Sequence, residues 1–193
     1  MSETHGSTAG SHEHSDAALA ERAPVGWGFW LWWVLASAVG FTVAAAADNA
    51  VSEALDFVVY GVPVGVTQWL VLRRQVSRAG WWILATLAAF AVGESLRLVV
   101  DDAVSDSVAL ALVGITQWIV LRRQVSRAGW WILATIAGFA GGESLRLVVN
   151  DSVAVGELLG MAVALAVFGA ITGGALVWLL RQRAPRGGEA AEA

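Results

Sequence analysis

Residues 65–102 read GVTQWLVLRRQVSRAGWWILATLAAFAVGESLRLVVDD, and residues 114–151 read GITQWIVLRRQVSRAGWWILATIAGFAGGESLRLVVND. Over these 38 positions only six differ, all six changes are mild, and the offset is 49 throughout. Internal repetition has to be read before local propensity, because each copy stands for one supersecondary unit. A third copy lies upstream at the same offset, where Trp32 to Phe41 matches Trp81 to Phe90 and Trp130 to Phe139. The last copy runs from Trp130 to the end of the apolar region, has extra residues before Leu179-Leu180-Arg181-Gln182, and lacks the Thr-Gln-Trp run.

Each unit holds two apolar stretches, which predict helices over 27–47, 54–73, 79–100, 104–122, 128–149 and 154–181. A membrane span needs about 17–25 residues at 1.5 Å rise. The fourth stretch is the shortest, with its uncharged part running only from Val108 to Leu121, and its start is expected within Asp102–Ser107. Pro63 is expected to kink the second helix, which a neighbouring helix can accommodate in lipid. The expectation is an all-α integral membrane bundle of six transmembrane helices from three tandem hairpins, over about 27–75, 76–124 and 125–182, within a domain of residues 25–182. Residues 1–24 and 183–193 are polar and read as disordered cytoplasmic tails. Ala45-Ala46-Ala47 resembles a signal-cleavage site, but the apolar run before it exceeds the usual 7–15 residues and repeats later in the chain, so it belongs to the mature fold.

Composition agrees with a lipid-solvated chain: 57% of residues are hydrophobic and only 15% charged, too few charges to cover that much apolar surface in water. Cysteine is absent, which removes disulfides, thiolate metal sites and cysteine nucleophiles. All twelve basic residues are Arg, so no Schiff-base chemistry on lysine is available. The net charge of −4 gives no reason to expect nucleic-acid binding. The membrane part has no His and no HExxH or GxSxG pattern, so neither a catalytic residue, a metal nor a cofactor is expected. His5, His12 and His14 read as part of the solvated N-terminal tail.

Charge and tryptophan orient the bundle. Arg73, Arg74, Arg78, Arg122, Arg123, Arg127, Arg181, Arg183 and Arg186 sit at one set of ends, and Asp48, Glu53, Asp56, Asp101, Asp102, Asp106, Asp151 and Glu157 sit at the other. The positive-inside rule places the Arg loops and both termini in the cytoplasm, with the chain in the cell membrane. All eleven Trp lie near the Arg-bearing ends and are expected to form a one-sided belt at the inner headgroup layer.

Two sets of polar residues are candidates for function. Small residues recur every fourth position along the odd-numbered helices: Ala36, Gly40, Ala44, then Asp48; Ala85, Ala89, Gly93, then Arg97; Ala134, Gly138, Gly142, then Arg146. Such seams let backbones approach closely, so the charges ending them should face protein. Glu94 and Glu143 lie three residues before each Arg, Asp101 and Asn150 four after, and these offsets share a helix face. The cluster Asp48, Glu94, Arg97, Asp101, Glu143, Arg146 and Asn150 could line an outward vestibule for a small solute or ion. It could equally be a structural clasp in which each Glu pairs with its own Arg at i, i+3. The second set, Thr67-Gln68 and Thr116-Gln117, lies one turn from the inner arginines and could serve as an inner gate or as interhelical glue. Function is therefore open between a small transporter or channel and a non-transporting membrane scaffold or accessory subunit. Membrane lipids, with anionic headgroups at the Arg loops, are the expected partners. Gly61xxxGly65, Gly156xxxGly160 and Gly169xxxGly173 are packing motifs that serve internal seams or a homo-oligomer.

The runs QWLVLRR with AGWWILAT (68–74 with 79–86, and near-identically 117–123 with 128–135) and the closing segment 169–181 resemble a loose group of bacterial multi-spanning membrane proteins. The resemblance implies an all-helical membrane fold and carries no activity. The architecture is also similar to that of mitochondrial carriers, with three two-helix units and acid–base pairs on odd-numbered helices. Here the carriers' motif proline is absent, the repeat is about half as long, and Asp48 has no basic residue three positions on, so the likeness is one of architecture only.

Overall fold

The computed structural model describes residues 25–48, 55–152 and 157–182. They form six helices: α1 (Trp27–Asp48), α2 (Asp56–Leu72), α3 (Trp81–Leu96), α4 (Asp102–Leu121), α5 (Trp130–Ser152) and α6 (Glu157–Arg181). No strand occurs among the described residues. Three segments, Trp27–Ala47, Trp130–Val149 and Gly160–Arg181, are long and apolar enough to cross a membrane, while α2, α3 and the apolar part of α4 are shorter.

Each helix packs on the next in sequence, and α6 packs back on α1, so the six close into a ring. The contact between α4 and α5 is the slightest of the six. Glycine makes the close approaches possible. Within hairpins, a Cβ on Gly40 would lie 2.8 Å from the Val64 Cα, one on Gly142 would lie 2.6 Å from the Ala164 carbonyl, and one on Gly93 would overlap the Ala109 side chain. Between hairpins, Gly61 and Gly65 of α2 lie on Leu87 and Ile83 of α3, and Gly169 and Gly173 of α6 lie on Val34 and Trp33 of α1. Both of these GxxxG motifs are therefore spent on internal seams. Gly156 lies outside the described residues, as do the tails with His5, His12 and His14.

The expected and observed helices agree to within a few residues, with one instructive exception. The run SLRLVV is identical in residues 95–100 and 144–149, yet α5 continues through it whereas α3 stops at Leu96. The cause lies downstream. Asp101 takes an extended conformation and its side chain accepts the Val104 N–H at 3.0 Å, which starts α4 at once. The chain therefore has to reverse between Arg97 and Val100, whereas in the other copy Asn150 remains within α5. Pro63 sits inside α2 without ending it.

The interior is apolar with a small set of polar residues among it, and the outer surface is apolar too. Ser37, Gln68, Thr86, Ser105, Gln117, Thr135 and Thr172 are buried. Large apolar side chains such as Leu35, Val39, Val43, Leu84, Leu133 and Ile136 point outward.

Candidate functional site

At the Arg-bearing end, the second Trp of each doublet turns inward. Trp33, Trp82 and Trp131 meet pairwise, edge to face, with centroids 5.8, 5.9 and 5.4 Å apart. Each is essentially buried, whereas Trp32, Trp81 and Trp130, one residue earlier, are more than half exposed. Successive helix positions lie about 100° apart, so a doublet sends one ring out and one in. The expected belt is thus corrected: these three indoles belong to the core. The arithmetic was available in the sequence, since the inward Trp lies three or four residues before the small-residue seam on the same face.

A buried indole N–H needs an acceptor. Trp82 donates to the Gln68 Oε1 at 2.9 Å, Trp131 donates to the Gln117 Oε1 at 3.1 Å, and Trp33 donates to the Thr172 Oγ1 at 3.0 Å. The glutamine amides continue the chain, Gln68 donating to the Ser37 Oγ at 3.2 Å and Gln117 to the Thr86 Oγ1 at 2.9 Å. Each Gln on an even helix thereby joins the odd helix of its own hairpin to that of the next. At the third seam the shorter Thr172 accepts from Trp33 and donates to the Phe168 carbonyl, while Thr135 donates to the Trp131 carbonyl. Thr116 donates to the Ala85 carbonyl of α3 at 2.9 Å, and Thr67 bonds back to Pro63 and Val64 in its own helix. Of the predicted gate-or-glue set, Gln68, Gln117 and Thr116 thus make interhelical bonds.

Loop residues complete the plug at this end. Val76, Ala79, Val125 and Ala128 are buried in one cluster with the three indoles, Leu72, Leu121, Leu176 and Leu179. The Gln124 amide clasps the neighbouring loop, donating to the Ser77 carbonyl at 2.6 Å and accepting its N–H at 3.0 Å. Further along the bundle, Phe41, Phe139 and Phe168 form a second aromatic cluster, with centroids 4.2–6.3 Å apart.

The charged candidates lie at the far end. Arg97 pairs with Glu94 at 3.3 Å, and Arg146 takes both Glu143 oxygens, through Nε at 2.8 Å and through a terminal nitrogen at 2.6 Å. Both pairs run within their own helix. Of the charges that end the seams, Arg97 is 37% exposed and so does not meet the expectation of facing protein, whereas Arg146 is more covered at 24%. Asp101 serves as the cap of α4. The side chains of Asp48 and Asn150 lie outside the described residues. No group of three or more metal-ligating side chains occurs among the described residues.

Comparison with known protein families, with characterised proteins and with solved structures finds no match.

Proposed function

We propose that the chain is a multi-pass membrane protein of six spans, built from three tandem hairpins with both ends cytoplasmic. In this reading it acts as a closed, non-transporting scaffold or accessory subunit. The single observation that carries the proposal is the stopper of three indoles, two glutamines and loop aliphatics across the Arg-bearing end of the ring. A conducting axis needs water-lined space there, and the side chains that meet across it are buried indoles in mutual contact.

Support for the membrane setting comes from the outward apolar side chains of every helix and the inward polar ones. Monomeric soluble proteins rarely expose contiguous apolar area beyond a few hundred Å². The shorter helices are compatible with spanning. At 16 residues α3 reaches about 24 Å, and the exposed Leu98, Val99 and Val100 extend its apolar length beyond the last helical turn. In this reading the Glu94–Arg97 and Glu143–Arg146 pairs are clasps that neutralise charge near the outer headgroups.

The absence of native cysteine makes the test direct. Thr86→Cys and Thr135→Cys, reconstituted in liposomes, are expected to resist membrane-impermeant maleimides from both sides. Ser126→Cys is expected to react in intact cells only after permeabilisation. Arg97→Gln and Arg146→Gln are expected to lower thermal stability modestly and to leave flux of ions and small metabolites at the protein-free level. Labelling of the Thr86→Cys variant, or flux through the native protein that either Arg variant abolishes, would replace the scaffold with the transporter reading.

A further inference from the structure

A crevice of about 320 Å³ opens at the Arg-bearing end, lined by Arg127, Gly129, Trp130 and Leu133. Its chemistry is graded along the helix. Arg127 contributes an exposed guanidinium, the Trp130 indole stands beside it, and Leu133 follows one turn further into the apolar zone. Three of the other inner cations are engaged elsewhere. Arg73 and Arg122 lie over the Trp69 and Trp118 rings, at 5.6 and 4.9 Å, and Arg181 donates to the Val25 carbonyl at 3.0 Å. The Arg127 guanidinium has no partner among the described residues, as is also true of those of Arg74, Arg78 and Arg123, and of these four only Arg127 lines the crevice. Gly129 lies exposed on the crevice lining, where a Cβ would point into open space with nothing within 4 Å.

Residues 78–84 repeat the same sequence at the same spacing, yet the wall is better formed in the later copy. Trp130 is braced edge to face by Trp178 of α6, centroids 6.3 Å apart, whereas Trp81 has no ring partner among the described residues. A fixed indole wall loses less freedom on binding than a mobile one.

We propose that this crevice is a binding site for one anionic glycerophospholipid of the inner leaflet. The phosphate sits on Arg127, the glycerol lies against Trp130, and the acyl chain runs down over Leu133. An unpartnered guanidinium above an indole and an aliphatic side chain complements a phosphate ester followed by hydrocarbon. The proposal rests on the membrane reading for its leaflet assignment. The binding itself is measured on protein already extracted from membranes, so the two fail separately: a chain recovered from the soluble fraction sinks the membrane reading, whereas an extracted chain without the lipid sinks only this site.

The test is native mass spectrometry of the full chain in a zwitterionic detergent, titrated with phosphatidylglycerol or phosphatidylcholine. One phosphatidylglycerol is expected to be retained in preference to phosphatidylcholine, and free glycerol 3-phosphate is expected not to displace it. Arg127→Gln is expected to weaken retention about fivefold, and Arg78→Gln distinctly less. Gly129→Leu, which fills the crevice from open space, is expected to abolish the high-affinity adduct with an unchanged melting temperature. Equal losses from Arg127→Gln and Arg78→Gln would reduce the site to general surface charge and overturn the proposal, as would unchanged binding in Gly129→Leu. Displacement by glycerol 3-phosphate alone would mark a phosphate site without lipid specificity and overturn it too.

Discussion

Thr86 and Thr135 occupy the same place in their copies, and each donates to the carbonyl of the Trp four residues before it. Only Thr86 also accepts from a buried glutamine, because the third seam has no Gln to reach Thr135. Replacing a hydroxyl by a methyl costs most where it leaves a buried donor without an acceptor, about 1–3 kcal/mol in general and toward the lower end between helices in lipid. Thr86→Val is therefore expected to destabilise the folded protein by about 1–2 kcal/mol, and Thr135→Val by a few tenths at most. Reversible unfolding in mixed micelles measures both. Equal effects would mean that the Gln117 amide is not held by Thr86. The sequence singled out Gln68 and Gln117 as polar groups needing a partner. It did not reveal the partners, because Trp131 is 14 residues from Gln117 and Thr86 is 31, and only the ring brings them together.

At the scale of elements, the seams depend on glycine to very different degrees. A Cβ at Gly142 runs into the backbone of Ala164, which cannot swing aside as a flexible side chain would, whereas one at Gly129 meets nothing. Gly142→Val is expected to cost about 1–3 kcal/mol through overpacking and to reduce the yield of folded protein, while Gly129→Ala leaves both unchanged. Thermal melts in detergent with a fluorescence-detected size profile separate the two outcomes, and a tolerated Gly142→Val would show that α5 and α6 do not pack as described. Helix extents were legible from apolar run length and Arg or Asp punctuation. The different fates of SLRLVV in α3 and α5 were not, because they hinge on how soon the following helix begins. The two faces of each Trp doublet were legible in principle from helical periodicity, and the strong interfacial preference of indoles masked them.

For the molecule as a whole, the contact between α6 and α1 turns a row of hairpins into a ring. A Cβ at Gly169 would stand 3.5 Å from the Val34 Cβ, at the near edge of disulfide geometry. In this cysteine-free chain, Val34→Cys with Gly169→Cys is expected to cross-link under mild oxidation and to migrate faster on denaturing gels, each single variant remaining unshifted. Absence of the cross-link would mean that the ring is open. In the proposed lipid setting there is no hydrophobic drive between helices, and such closure relies on close packing and interhelical hydrogen bonds, which is where the buried glycines, indoles and amides are concentrated. By itself the sequence determined the helical class, the six apolar segments, their near-repetition and the residues that would need partners, because these follow from local periodicity and charge. Only the tertiary structure decided that three tryptophans face one another, that each glutamine ties two hairpins together, and that the Glu–Arg pairs close within their own helices. Those outcomes depend on which faces meet when distant segments of nearly identical sequence pack around one axis.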